Sequence, residues 1–600
     1  MFQTFDITAR PEQGPPRLAA LRSEIANQGL AGFLVPRADA YQGEYVAPCD
    51  ARLAWLTGFT GSAGFCAALS DVAGVFVDGR YRLQVAEQIS IGAFTAVDWP
   101  EVTLSDWLKE HLPEGGEIGF DAWLHTGKEI DAIRQGLTGS NVTLVACDNL
   151  IDRIWADRPA PPSSEISAYP IEFAGKTHTE KRNDLAKSLR AAGQRAAVLT
   201  LPDSICWLLN IRGSDIARNP IAQAYAIVHD DASLTLFTGP GKADGITDHL
   251  GADVTIAGFD DFATNLAALT GPVRLDPATA PLAIGTILSG AGVEISQGDD
   301  PCLLPKACKN PVEIAGMQQA HLRDGAAMAE FLAWLDDTAP KGGLSEIDVV
   351  RKLEGYRRAT NALQEISFET ICGSGPNGAI VHYRVDNASN RAISLGELLL
   401  VDSGGQYLDG TTDITRTIAI GQPSDEHRRC FTRVLQGMIA ISRLRFAKGR
   451  AGQHIEAIAR IPLWMAGQDF DHGTGHGVGA YLSVHEGPQG LSRINSVPLE
   501  PGMILSNEPG YYRQGAFGIR IENLIVVRVA ELIEGGDARD MLAFETLTFT
   551  PIDRSLVDVE MLSAHERDWL NDYHREVAEK IGPHLSPKAL DWLTRATATL

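Results

Sequence analysis

Asp402 and Asp413, with ten residues between them, stand in the stretch Leu398-Leu-Leu-Val-Asp-Ser-Gly-Gly-Gln-Tyr-Leu-Asp-Gly-Thr-Thr-Asp-Ile-Thr-Arg-Thr417, and His476, Glu508 and Glu522 follow further along the chain. Four carboxylates and one imidazole make a hard donor set. It outlines a two-metal hydrolytic site and favours Mn²⁺, Co²⁺ or Zn²⁺ over a thiolate-type centre. The acids lie in or beside apolar runs, where an ionised carboxylate is costly to bury unless a cation or strong hydrogen bonds accompany it. A metal centre therefore explains them better as a set than a solvated surface does. Taken singly, an Asp or Glu beside a turn is ordinarily a cap or a surface group.

The elements that must position these groups are legible around them. Leu398 to Val401 reads as a buried strand, Gly404-Gly405 and Asp409-Gly410 as turns, and Ile414 to Ile420 as a returning strand, a hairpin that can point both aspartates at one spot. His476 sits among glycines in Asp471-His-Gly-Thr-Gly-His-Gly-Val-Gly479, where little side-chain bulk obstructs a bound ion. Glu508 follows the apolar stretch Met503 to Asn507 and is fixed by Pro509-Gly510, and Glu522 lies in the strand-like run Phe517 to Val527. Upstream, Pro311 to Trp334 carries apolar residues at helical spacing behind a first-turn proline and reads as a core helix.

With these segments stand Gly375-Pro-Asn-Gly-Ala-Ile380, Val381-His-Tyr383, Val484-His-Glu-Gly-Pro488, Asn507-Glu-Pro-Gly-Tyr-Tyr512 and Gly518-Ile-Arg-Ile-Glu522. Together they closely resemble the metal-dependent aminopeptidase P group, whose "pita-bread" catalytic fold is shared with methionine aminopeptidase and prolidase. Asp39-Ala-Tyr-Gln-Gly-Glu-Tyr-Val-Ala-Pro-Cys-Asp50, Gly58-Phe-Thr-Gly-Ser-Ala-Gly64, Asp78-Gly-Arg-Tyr81 and Asp568-Trp-Leu-Asn-Asp-Tyr-His574 are similar to its long, three-domain cytosolic form.

The resemblance implies a dinuclear site for divalent ions, Mn²⁺ first and Zn²⁺ or Co²⁺ as alternatives, in which Asp413 and Glu522 bridge both ions. Asp402 would complete one ion, and His476 and Glu508 the other. It implies further that Glu508 moves the proton, that His382, His472 and His485 hold the substrate carbonyl and ease proton movement, and that Arg520 and Tyr512 steady the site. The substrates expected are peptides with proline at the second position, and a homodimer paired through the catalytic domains is expected with them.

A chain of 600 residues is too long for one core, and 44% hydrophobic with 21% charged is ordinary for a globular protein. The break at Arg158-Pro-Ala-Pro-Pro-Ser-Ser164 reads as a linker. A weak echo links Ala31-Gly-Phe-Leu-Val35 and Trp55-Leu-Thr-Gly58 to Ala196-Ala-Val-Leu-Thr200 and Trp207-Leu-Leu-Asn-Ile-Arg-Gly213. The fold class expected is α/β (α+β): two tandem creatinase-like α/β domains, residues 1–160 and 161–305, then a pita-bread metallopeptidase domain over 306–600.

The net charge of −24 and the pI near 5.0 oppose a nucleic-acid partner, because no Lys/Arg-rich run supplies a phosphate-binding surface. The first residues, Met1-Phe-Gln-Thr-Phe-Asp-Ile-Thr-Ala-Arg10, lack a basic segment followed by an apolar one, and no apolar stretch is long enough to cross a bilayer. No membrane association and a cytoplasmic location are therefore expected. The eight cysteines form no Cys-x-x-Cys pair and read as reduced thiols. Prolidase is the nearest alternative, but it normally has one amino-terminal domain. A binding module on this fold would have lost its ligands, and all five are present.

Overall fold

The computed structural model describes residues 1–600. Two compact units emerge, Thr8–Leu303 and Leu304–Leu600, the latter joined by Met1–Ile7.

Within Thr8–Leu303 the echo seen in the sequence becomes a repeated topology. Gly32–Pro36 pairs antiparallel with Phe65–Leu69 and parallel with Gly116–Phe120. Ala196–Leu199 likewise pairs antiparallel with Tyr225–His229 and parallel with Val273–Leu275. Each becomes a central strand of a six-stranded sheet with the same strand sequence across it. The central strands are buried along their whole length, as a mixed sheet flanked by helices requires. Each sheet has its own apolar core, one around Leu21, Phe33 and Phe76, the other around Val198, Phe237 and Phe262.

The unit Leu304–Leu600 opens with the helix Pro311–Thr338, started by a reciprocal cap between Asn310 and Glu313 with Pro311 in the first turn. Leu398–Ser403 and Ile414–Ala419 pair antiparallel as expected, with Asp402 opposite Thr415. The turn between them is elaborated into two short strands, Gly405–Tyr407 and Gly410–Thr411, that pair with each other and join a separate sheet through Leu363–Ile366.

The run Phe517 to Val527 differs from the single strand read in the sequence. It splits into Phe517–Arg520, which pairs with Gly510–Arg513, and Asn523–Val529, which pairs with Ile504–Asn507 and Met541–Thr546. The physical reason is a hydrogen bond made at the break, where the Glu522 N–H donates to the Thr415 carbonyl at 3.2 Å. The chain leaves one sheet and enters another just where Glu522 sits. The two repeated sheets and the mixed helix-and-strand unit Leu304–Leu600 agree with the α/β (α+β) class.

Candidate metal centre

Each acid reaches the centre from the end of a different strand. Asp402 is the fifth residue of Leu398–Ser403, Asp413 immediately precedes Ile414–Ala419, Glu508 follows Ile504–Asn507, and Glu522 occupies the break just described. His476 is central in the short strand Gly475–Gly477. Glycine is required beside it: a Cβ on Gly475 would lie 1.9 Å from the Ser506 carbonyl oxygen.

Donor atoms of Asp413, His476 and Glu522 lie within 4.8 Å of one another. His476 Nε2 is 3.4 Å from both Asp413 Oδ2 and Glu508 Oε1. Its other ring nitrogen faces the Gly477 carbonyl at 2.9 Å, which holds a proton on Nδ1 and leaves Nε2 as the atom that would offer its lone pair to a cation.

One oxygen of most of these acids is held and another is left open. The Thr415 hydroxyl donates to Glu522 Oε2 at 2.8 Å, Ser506 donates to Glu508 Oε1 at 3.1 Å, and the Arg520 guanidinium donates to Asp402 Oδ2 at 2.6 Å. Asp402 Oδ1, Asp413 Oδ1 and Glu522 Oε1 are buried without a hydrogen-bond partner. Buried polar atoms are nearly always paired, so three orphaned carboxylate oxygens in one place fit a site built to hold a cation.

The electrostatics agree. Burial, with the neighbouring carboxylates, pushes Asp402 up to about 7, against the pull of Arg520. Burial and the same crowding raise Glu508 and carry Glu522 well above the usual carboxylate range. Burial alone would lower His476, but Asp413 and Glu508 overcome it and bring the imidazole up to about 9. The cluster is short of positive charge. Oxygen-rich donors with one imidazole fit hard or borderline divalent ions, and the residues present therefore suit the centre expected from the sequence.

Arg520 heads a directed chain behind Asp402. Its Nη1 donates to the Tyr512 hydroxyl at 2.6 Å, and that hydroxyl lies 2.8 Å from His472 Nε2. His472 Nδ1 faces the Gly473 carbonyl at 2.7 Å and carries the proton there, so Nε2 accepts from Tyr512. Burial pushes the Tyr512 phenol up to about 12, which keeps its proton in place for that bond.

His485 packs against the His476 ring at 4.3 Å between centroids, steeply tilted. His382 is half-buried, and the residue before it, Val381, offers its carbonyl to Arg520 Nη1 at 3.4 Å. His472 thus reaches the centre through Tyr512, His485 borders His476 directly, and His382 lies one residue from the carbonyl that meets Arg520, the arginine that grips Asp402.

Thr415 and Ser506 were missed in the sequence. For Thr415 a signal existed: in a strand beginning at Ile414, Thr415 and Asp413 share one face by the two-residue period.

Residues 17–154 and again 157–313 match the Creatinase/Prolidase N-terminal domain, 315–529 match metallopeptidase family M24, and 540–600 match the C-terminal region of peptidase M24. Aminopeptidase P2 of Arabidopsis thaliana is 40% identical over 97% of this chain and 88% of its own length. The chain belongs to metallopeptidase family M24. Among M24 members, a probable Xaa-Pro aminopeptidase P of Laccaria bicolor is 39% identical over 97% of this chain and 93% of its own. The crystal structure of an X-prolyl aminopeptidase from Caenorhabditis elegans, described as a cytosolic enzyme with a di-nuclear active site, is 33% identical. It superimposes with a TM-score of 0.93 over 98% of this chain and 99% of that one.

Proposed function

We propose that this M24 member is a metal-dependent aminopeptidase that hydrolyses the bond between the first residue of a peptide and a proline in the second position. The observation that carries the reading is the convergence of buried, unpartnered oxygens of Asp402, Asp413 and Glu522 beside His476. Likeness along the whole chain to relatives named for Xaa-Pro aminopeptidase activity gives that site its substrate class. Prolidase, the alternative, is not favoured, because the likeness includes both amino-terminal sheets.

Asp402, Asp413, His476, Glu508 and Glu522 would hold two divalent ions, Mn²⁺ in this proposal. When bound, such ions polarise a carbonyl and make water acidic enough to attack at neutral pH. Glu508, fixed through Oε1 by Ser506, takes the proton of the attacking water and returns it to the leaving proline nitrogen. Arg520 orients Asp402 and leaves its Oδ1 open. Tyr512 links Arg520 to His472, and in this proposal His382 and His485 hold the scissile carbonyl while His472 eases proton movement through Tyr512.

The chain acts as a homodimer in the cytoplasm in this proposal. Support for the dimer comes from the helix Ala457–Trp464, whose end exposes Ile461, Trp464 and Met465, 50%, 45% and 84% accessible, an apolar patch that a second copy would cover. No helix is long and apolar enough to cross a membrane.

The test is metal-stripped protein, resupplied with Mn²⁺ and given an Xaa-Pro-Xaa tripeptide, the matching Xaa-Pro dipeptide and a Met-Ala-Ser peptide. Release of the first residue mainly from the tripeptide supports the proposal. Dominant cleavage of the dipeptide makes the protein a prolidase, and silence with every divalent metal leaves a binding module.

A further inference from the structure

Away from the metal centre, one buried carboxylate gathers an unusual number of partners. Glu346 is 0% exposed and begins the helix Glu346–Ala359. Its Oε1 accepts from the Ser374 N–H at 2.7 Å and from Asn377 Nδ2 at 3.0 Å. Its Oε2 accepts from the Tyr383 hydroxyl at 2.9 Å and the Arg391 N–H at 2.9 Å. These donors are all neutral: the Arg391 side chain is turned away and pairs with Glu397 at 2.7 Å. Burial pushes the Glu346 carboxyl up, and the four donors together with the helix N-terminus oppose that push.

All four donors belong to one segment, 374–391, whose middle carries His382. Position 382 is thereby pinned from both sides. Val381, just before it, is tied by its carbonyl to Arg520, and Tyr383, just after it, is tied to Glu346. The start of the segment lies backbone to backbone on the strand that ends in Arg520: a Cβ on Gly518 would be 1.7 Å from the Gly378 carbonyl oxygen. A residue as bulky as alanine at Gly518 would push the segment off that strand. The glutamate supplies the opposing anchor, and its cost of burial is met only when the segment closes over it.

We infer that Glu346 is a positioning residue for His382, acting through Asn377 and Tyr383 to hold the 374–391 segment against the metal centre. This rests on the role given to His382 above. Glu346 touches no substrate. Its effect lies in the geometry of the imidazole one residue from Tyr383. Replacing it by glutamine keeps the volume but turns an amide N–H₂ toward N–H and O–H donors, which breaks the convergence.

The experiment is a double-mutant cycle in the Mn²⁺-loaded, full-length enzyme on an Xaa-Pro-Xaa tripeptide, with Glu346→Gln, His382→Ala and the double variant. Hydrogen exchange over 374–391 and bound metal are measured alongside. Glu346→Gln is expected to lower kcat by about 10- to 100-fold, with metal content unchanged and KM little moved. Exchange over 374–391 is expected to speed up, and the loss to vanish in the His382→Ala background. If His382→Ala impairs the enzyme and the two losses simply multiply, Glu346 does not act through His382 and the inference falls alone. If His382→Ala turns over normally, the role of His382 falls and the inference with it. Should Glu346→Gln not fold, Tyr383→Phe removes one of the four donors and asks the same question. Its loss is expected to be smaller and equally absent without His382, and wild-type turnover would overturn the proposal.

Discussion

Asp324 and the acids of the metal centre are about equally hidden from solvent, Asp324 3% exposed against 7%, 4% and 1% for Asp402, Asp413 and Glu522, yet the protein treats them in opposite ways. Asp324 is closed. Arg357 grips it with two nitrogens at 2.8 and 3.0 Å, Tyr407 adds its hydroxyl at 2.7 Å, and its acidity is strengthened despite burial. The second set is open, with one oxygen each of Asp402, Asp413 and Glu522 unpartnered, and Asp402 and Glu522 reluctant to ionise. Both sets meet one strand: Asp402 lies in Leu398–Ser403, and Arg357 donates to the Ser403 carbonyl at 3.4 Å. Burial alone therefore does not mark a functional acid. What marks it is burial without internal compensation.

The largest effect is expected where charge is left open. Glu508→Gln keeps the shape of the side chain and removes the base proposed above, so kcat on the tripeptide should fall by about 10³-fold while the metal-loaded protein stays folded. Turnover within a factor of a few of the parent would assign proton transfer elsewhere. In metal-free protein at about pH 7, Glu522→Gln should raise the unfolding midpoint, because the raised carboxyl has to take up a proton as the chain folds and the amide does not.

Arg357→Met should do the reverse. It leaves Asp324 buried with Tyr407 alone and should cost about 3–5 kcal/mol in denaturant unfolding, with or without metal. Similar destabilisation of metal-free protein by Arg357→Met and Glu522→Gln would erase the distinction between open and closed acids.

A buried group that stays neutral offers a third probe. His574 is 0% exposed, accepts the Ile552 N–H through Nε2 at 3.1 Å, and is held down to about 3 by burial with Arg554 and Arg416 nearby. Its folded pKa lies below its ordinary value of 6.5, so the unfolded chain binds more protons between those limits. Stability should then fall as the pH drops below about 6.5, by about 2 kcal/mol at pH 5 from this group. Unfolding curves from pH 7 to 5 test it, and His574→Gln should flatten that part of the slope.

Much of this was readable beforehand because the chemistry sits in repeated local patterns. The apolar run Leu398–Val401, the glycines around His476 and the turn at Pro509-Gly510 each announce an element and a side chain able to bind a metal, and the structure brings donor atoms of Asp413, His476, Glu508 and Glu522 close together. The doubled front half showed in two short echoes, because each repeat begins with a buried strand and a helix start.

The break at Glu522 did not show. Ile519-Arg-Ile-Glu-Asn-Leu524 carries no proline or glycine, and the interruption is set by a hydrogen bond to Thr415, which is 107 residues away in the chain. Glu346 was invisible for a different reason: an acid just after Ser345 reads as ordinary first-turn chemistry, and nothing local tells of Tyr383 or Arg391. Nor did the first residues betray that Phe5 packs in the catalytic unit, since two phenylalanines in a short polar stretch carry no period.

The smallest effect belongs to Thr415, whose hydroxyl ties the open side chain of Glu522 to the Arg520 guanidinium. Its hydroxyl accepts from Arg520 Nε at 3.2 Å and donates to Glu522 Oε2 at 2.8 Å, so a single proton sets which glutamate oxygen faces inward. Thr415→Val keeps the branched shape that the strand packs and deletes only that link. Loss of a hydrogen bond to a charged group of this kind is worth about 1.5 kcal/mol, which should appear as about tenfold weaker metal binding in a chelator competition. kcat at saturating metal should stay near the parent value, and Thr415→Ser should restore the affinity. Unchanged affinity in the valine variant would mean that the inward orientation of Glu522 is fixed by its backbone, through the bond from its N–H to the Thr415 carbonyl, and not by the side chain.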